Sequence, residues 1–373
     1  MQERCASREQ AFYCEEARTK NLIVPEETEL IGVLKKRFAS RGIRLRAKSK
    51  GELHVFVAFA LFNWEGVFPK ALESFGKIST FEWHSLGFET LSEDWLKQRD
   101  TMNAVMLESF YKAHKEKPID AVVGYLSGYT VSPNVLSEMA KCGVAIFNFC
   151  WDDKLYFRGK IMGGRWTGPA ALASVVDLNL TNAPDSCIKY MVEGGLAMFW
   201  PEAAHHEMHK PYDVPFEFDV SFVGGKYGWR PRFIQKLQKL GIKVTCFGKG
   251  WENGPLSDEE MVKLYSRSRI NIGFGGVGHS RKLMCLKGRD FEVPMSGGLY
   301  LTQDNPELSL VYEVGKEILT YKNEKDCAEK IQWLLANPEE AAKIRKAGRE
   351  RALKDHTWEK RFEKVLRLAG IME

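Results

Sequence analysis

No C-x-x-C pair occurs among the eight cysteines at 5, 14, 142, 150, 187, 246, 285 and 327, and their spacings form no ladder. That excludes a finger-type zinc site and a dithiol redox motif, and the pattern fits reduced thiols in a cytoplasmic protein. No run approaches the ~18 uncharged apolar residues that a membrane span requires. The opening MQERCASREQAFYCEEARTK also lacks the apolar centre of a signal peptide. G-x-x-x-x-G-K-[ST] is absent, which argues against a nucleoside-triphosphatase, and FVGGKYGWRPR (222–232) lacks the full G-x-G-x-x-G spacing. His205, His206 and His209 in HHEMH lack the H-E-x-x-H spacing, so no metal site is expected. An excess of one charge is missing too: 54 basic residues stand against 49 acidic ones, a net +5. The cations are not interleaved with aromatics in one stretch, so nucleic acid is not an expected partner, while an anionic substrate or a peripheral membrane contact stays open.

What is present is an alternation. Apolar, β-rich runs alternate with helix-period segments over 373 residues, the pattern of parallel sheets covered by helices on both faces. One series of expected strands is LHVFVAFAL (53–61), ISTFEW (78–83), IDAVVGY (119–125), VAIFNF (144–149), VVDLNLT (175–181) and LAMFW (196–200). A second is DVSFVGG (219–225), KVTCFG (243–248), INIGF (270–274), GLYLT (298–302) and EILTY (317–321). Pro211 and Pro215 in HKPYDVPFEF suit a linker between the two. The expected class is α/β with two doubly wound, Rossmann-like domains, 1–210 and 211–350, and a closing helical segment, 351–373. Ligands of such sheets bind at the carboxyl ends of the strands.

Helix ends are legible as well. SDEE at 257–260 is a capping box before Met261, Leu264 and Tyr265, the helical stretch 323–338 places Ile331, Leu334 and Leu335 together and stops before Pro338, and NPEE restarts the next with an Asn337 cap and a proline in the first turn. Trp358, Phe362, Val365 and Leu366 form the stripe of the last one.

The stretch KGRDFEVPMSGGLYLT (287–302) carries the strongest chemical signal. Lys287 and Arg289 precede a helix expected over 290–295, so its free N–H groups and two cations would converge on a phosphate. Glu292 would accept hydrogen bonds from both hydroxyls of a ribose, and Gly297 and Gly298 would let backbone approach a ligand. FVGGKYGWRPR (222–232) adds Gly224, Gly225, Lys226 and Arg230 after the first strand of the same half, and GFGGVGHS (273–280) offers His279 on an expected flexible loop.

LKGRDFEVPMSGGLYLTQDNPEL, the GKEILTY strand and the closing HTWEKRF resemble the CgeB-type spore-maturation glycosyltransferases, within the family 4-like group of GT-B architecture; FNFCWDDKLYF (147–157) is similar to their Trp and paired-Asp segment. The resemblance implies two Rossmann-like domains facing a cleft, with the last helix returning to the first. It also implies a nucleotide-diphosphate sugar donor held by the second domain, a glycosyl acceptor held by the first, and no cofactor. It further implies that Glu292 holds the donor ribose, that Lys287 and Arg289 lie near the diphosphate, and that transfer retains configuration. The wider group often carries a Glu eight positions before the Glu that matches 292, where this chain has Met284. Cations at the diphosphate make a metal-independent leaving-group step the expectation. Asp152 and Asp153 after VAIFNF, and Glu65 in NWEG beside Trp64, are the candidate acid–base residues. A nucleotide-sugar epimerase or hydrolase, or a non-catalytic sugar-nucleotide-binding protein, are the alternatives.

Overall fold

The computed structural model describes residues 2–59 and 67–373. Trp64 and Glu65 therefore lie outside the described residues. Contacts divide the chain into two compact units: an N-terminal unit of Arg4–Pro201 with Arg361–Glu373, and a C-terminal unit of Glu202–Lys360 with Gln2 and Glu3. The chain changes units after Pro201, ahead of the prolines at 211 and 215.

In the N-terminal unit, β1 (Leu53–Ala58), β2 (Gly76–Phe81), β3 (Ala121–Gly124) and β4 (Ala145–Cys150) are followed by a small hairpin of β5 (Ile161–Met162) and β6 (Arg165–Trp166), then β7 (Leu178–Thr181) and β8 (Ala197–Phe199). Among the described residues the sheet runs β2-β1-β3-β4-β7-β8, every pair parallel. Strands β1, β3, β4 and β7 are buried along their whole length, which is why the sequence shows unbroken apolar runs there instead of alternation. Helices Trp95–Glu116 and Pro133–Lys141 cover one face through Met102, Met106, Phe110, Leu136 and Met139. The last helix, Trp358–Leu368, sends its Phe362 ring against Phe68 and Trp200 of this unit.

The C-terminal unit repeats the plan with β9 (Phe218–Val223), β10 (Thr245–Phe247), β11 (Ser268–Ile272), β12 (Tyr300–Gln303) and β13 (Leu319–Tyr321). Their order is β10-β9-β11-β12-β13, all parallel. Phe222, Phe233, Ile270, Ile272, Leu301, Ile331 and Leu334 build its core. Ser257 caps helix Asp258–Arg267 by accepting the Glu260 N–H, and Asn323 caps Glu324–Ala336 by accepting from Lys325 and Asp326. Two expectations give way. Leu335 is exposed, because only Ile331 and Leu334 of its stripe reach the sheet. Asn337 makes no side-chain cap bond, so Pro338 at the first helical position starts the helix Pro338–Asp355.

Each unit therefore has one place where consecutive connections leave the sheet in opposite directions. It lies between β1 and β3 in the first and between β9 and β11 in the second. Open α/β sheets bind ligands outside the carboxyl ends at such switch points.

Candidate functional site: the carboxyl edge of β9 and β11

The β9 side of the edge is a tight loop. Gly224 has φ +151°, and a Cβ there would sit 2.8 Å from the Phe222 ring, so glycine is required. Trp251 Nε1 donates to the Gly224 carbonyl at 2.8 Å. Arg230 opens helix Arg230–Lys239 but is only 4% exposed. Its Nη1 donates to the Gly225 carbonyl at 3.1 Å, and its guanidinium lies 4.1 Å from the Tyr227 ring centre. Burial lowers its pKa, and the charge of Arg289 pushes the same way. Arg230 thus fastens the 224–229 loop. Lys226, exposed, places its Nζ 5.1 Å from the Trp251 ring centre, with the ammonium available at the rim.

The β11 side is the glycine-rich stretch. Gly273 has no room for a side chain: a Cβ would lie 1.9 Å from Tyr300 Oη and 2.6 Å from Thr302 Oγ1. Phe274 packs edge-on against Phe222, Trp229 and Phe233, with ring centres 4.8, 4.9 and 5.3 Å apart. Trp229 Nε1 donates to Ser280 O at 3.2 Å, and Ser280 Oγ accepts from Lys282 N and Leu283 N at 3.0 and 2.7 Å. The loop expected to be flexible is therefore tied at several points. It brings His279, exposed, to 5.7 Å between ring centres from Tyr227, joining the two sides of the edge.

The chain then enters helix Gly288–Met295, whose tip follows the β11 loop. The helix begins two residues earlier than expected because Asp290 serves its start: the Lys287 N–H donates to Asp290 Oδ2 at 2.8 Å. Asp290 is buried, and burial raises its carboxyl to about 7 against the pull of the Lys287 N–H, Arg289 and Lys287. Lys287 is half-buried with Nζ donating to Cys285 Sγ at 2.9 Å.

Arg289 and Glu292 matter most. The simplest alternative for this stretch is a surface Arg–Glu pair, and the structure does not have it. Among the described residues neither side chain makes an ion pair within 4.0 Å, and neither has a hydrogen-bond partner. Both are half-buried. Burial opposes the Arg289 charge, but the surrounding Tyr300, Tyr265, Glu292 and Asp290 outweigh it and hold the guanidinium above its usual range. A cation and a carboxylate with their hydrogen-bonding capacity intact, beside a helix N-terminus, can take an anion and a diol together.

Sequence reasoning missed Glu202. This carboxylate is 5% exposed, and a Cβ at Gly288 would lie 3.0 Å from its Oε2 and 2.9 Å from Glu292 Oε1. Glu202 thus reaches the first turn of the helix from the start of the unit. No periodicity or motif signals a single Glu after a strand.

Other expected residues lie elsewhere. Gly297 and Gly298 follow the C-terminal end of the helix, at the opposite edge of the sheet. Gly297 takes φ +73° as the helix terminator, and Gly298 lies against Val293 and Asn271; they serve packing and chain reversal. Asp153, expected to face the reacting groups, is 0% exposed. Tyr190 Oη donates to its Oδ2 at 2.9 Å, and burial raises its carboxyl to about 6. It is sealed because the helix Asp153–Tyr156 turns inward directly after β4. Asp152 remains exposed at the β4 end, 3.4 Å from Tyr125 Oη. Of the histidines, the His205 N–H donates to His209 Nδ1 at 3.1 Å. Among the described residues no group of three or more His, Cys, Asp or Glu is placed to hold a metal.

Residues 230–367 match the family described as Glycosyl transferase-like. The C-terminal unit carries a glycosyltransferase-type domain. The match begins at Arg230 and takes in the whole of the β11 loop, the tip of helix Gly288–Met295 and Glu292. The enzyme class of the chain is accordingly glycosyltransferase. Among solved structures, an alpha-glucosyltransferase in complex with UDP and a 13-mer DNA is similar at 13% identity, with 86% of this chain and 100% of that one covered and a TM-score of 0.58. Sucrose-phosphate synthase from Thermosynechococcus elongatus follows at 14%, 84% and 98% covered, TM-score 0.56. The HepE protein of Anabaena, in complex with UDP and glucose, stands at 11%, 84% and 98% covered, TM-score 0.55. At these identities they establish the fold: two Rossmann-like domains of the GT-B kind. No curated protein gives a significant match.

Proposed function

We propose that the chain transfers a glycosyl group from a nucleotide-diphosphate sugar, bound at the β9/β11 edge, to an acceptor served by the N-terminal unit. The observation that carries this is the unpaired state of Arg289 and Glu292 at the tip of helix Gly288–Met295. In this reading Glu292 accepts both ribose hydroxyls. Arg289, the helix N–H groups and Lys226 hold the diphosphate and stabilise the charge that builds on it as the glycosyl bond breaks, an effect often worth about 3 kcal/mol per donor. Arg230 and Gly224 keep the loop that presents Lys226. Lys287 and His279 complete the rim of the same edge, and the buried Glu202 lies against the first turn of the helix.

Because side-chain cations supply the charge, transfer is metal-independent, and full activity in EDTA is the expected result. Retention at the transferred carbon is the outcome that the CgeB-type resemblance implies, checked by NMR of the product anomer. The eight free thiols support a cytoplasmic setting, and among the described residues no helix is long and apolar enough to cross a membrane.

The deciding experiment is ligand-induced stabilisation. UDP, which the HepE and alpha-glucosyltransferase structures hold, should raise the unfolding temperature of the wild-type chain by mass action. Glu292→Ala should lose most of that rise with the ligand-free unfolding temperature unchanged. An equal rise in both proteins would remove the assignment.

A further inference from the structure

The N-terminal unit holds a second set of unpaired charges that the donor edge does not use. Arg99 lies in the second turn of helix Trp95–Glu116, which follows β2 and so begins at the carboxyl edge of the first sheet. It is 6% exposed, and its Nε and Nη1 are buried without any hydrogen-bond partner. The carboxylate within ion-pair range is that of Asp100, 3.9 Å from Nε and itself 85% exposed, a geometry worth little. Arg165 arrives from β6. Its Nε donates to the Gly128 carbonyl at 2.7 Å, and its Nη2 is buried and unpartnered. Burial lowers the Arg165 pKa and the charge of Arg99 lowers it further, so the two cations stand within electrostatic reach.

Three segments hold the pair in place. The β5–β6 hairpin turns through Gly163 and Gly164 at φ +56° and +77°, and a Cβ on Gly163 would lie 2.8 Å from Arg99 Nη2. Gly128 and Tyr129 N–H groups donate to Gly168 O and Thr167 O at 3.1 and 3.0 Å, joining the loop after β3 to the strand end after β6. Asn103 Nδ2 donates to Thr130 O at 2.9 Å, and its Oδ1 accepts from Ser132 N at 2.7 Å, fastening the helix to the same loop. That loop borders the β1/β3 switch point, where such sheets bind ligands.

A buried donor left unsatisfied is destabilising, more so when it is charged, and two like charges held together add to the cost. A preformed pair of this kind is stable in company with a counter-charge. We propose that Arg99 and Arg165 bind a compact oxyanion, a phosphate or carboxylate group, and that this group belongs to the glycosyl acceptor, which is therefore anionic. The link to the acceptor rests on the transfer reading above; the anion site itself does not.

The test follows thermal unfolding of the full chain at pH 7 in inorganic phosphate, in glycolate as the carboxylate arm, and in chloride at matched ionic strength. Wild type, Arg99→Gln, Arg165→Gln and Arg289→Ala are compared, the last weakening the donor edge. Phosphate or glycolate should raise the unfolding temperature of wild type and Arg289→Ala beyond chloride, and the larger rise names the oxyanion. Either Gln variant should respond no more than it does to chloride, while still being stabilised by UDP. Without added oxyanion both Gln variants should be at least as stable as wild type, since the repulsion is relieved; a merely structural arginine would give the opposite. Should Arg99→Gln not fold, the half-buried Arg165→Gln carries the test. Equal oxyanion responses in wild type and Arg165→Gln, or none in wild type, overturn the site. Loss of the UDP response in wild type with the oxyanion response intact sinks the donor reading and leaves this site standing.

Discussion

The two carboxyl edges of this chain share a strand order and differ in the charges that their loops leave unpaired. At β9/β11 the free groups are of both signs, Arg289 and Glu292, beside a helix tip. Next to β3 they are, among the described residues, of one sign, Arg99 and Arg165, with the exposed Asp100 carboxylate 3.9 Å from Arg99 Nε. The shared frame says where a ligand goes, and the loop residues say what chemistry it has. A mixed-sign edge suits a ligand that is anion and polyol together, whereas a pair of guanidinium forks suits an oxyanion alone.

Three experiments would break or sharpen this contrast. The largest effect is expected from Arg289→Ala, which removes charge from the leaving-group side; kcat/KM for transfer should fall roughly 10²–10³-fold, and a loss smaller than about threefold would mean that the diphosphate is held elsewhere.

Next comes pH, because burial raises Asp153 from the usual 3.8 to about 6 and Asp290 to about 7, and lifts Asp177 as well. A raised carboxyl favours the folded state while protonated, so its contribution is full below about 4 and lost as pH rises through the folded value. Denaturant unfolding should show stability declining from pH 4 toward 7, by at most about 1.4 kcal/mol per pH unit for each group inside its window. Asp153→Asn should flatten the part up to about 6, and Asp290→Asn the part that continues to about 7. A profile unchanged in both variants would show that the two carboxyls are ionised throughout.

The smallest effect separates the glycines. Gly273→Ala must displace Tyr300 and should cost about 1–3 kcal/mol of stability. Gly164→Ala, with φ +77° and open space around it, should cost about 1 kcal/mol from backbone strain alone. Equal costs in chemical denaturation would mean that the packing beneath the β11 loop relaxes freely.

Much of the frame was legible in the residues. Each of the eleven expected apolar runs overlaps a strand, since a strand buried on both faces needs several consecutive apolar residues and leaves them visible as a run. Ser257 announced its helix because a cap is a local bond between neighbours. The helix tip with Arg289 and Glu292 was legible for the same reason. Arg289 and Glu292 stand three residues apart and so share one face of the helix, with Lys287 directly ahead of its first residue.

What the linear pattern hid depends on contacts between distant segments. Glu202 meets the turn holding Gly288 and Glu292 from far upstream. Asp152 and Asp153 are neighbours in sequence, yet one is exposed and the other sealed, since the direction of the short helix Asp153–Tyr156 decides it. Gly297 and Gly298 look like ligand-approach glycines until the helix is seen to carry them to the far edge of the sheet.

The sequence by itself determined the strand order's raw material, the helix caps and the charged tip, because each is set by interactions within a few residues. Only the tertiary structure decided which charges found partners and which did not. Whether Arg99, Arg165, Arg289 and Glu292 are satisfied depends on every group that folding brings within hydrogen-bond reach, and that list is not written in any local stretch of the chain.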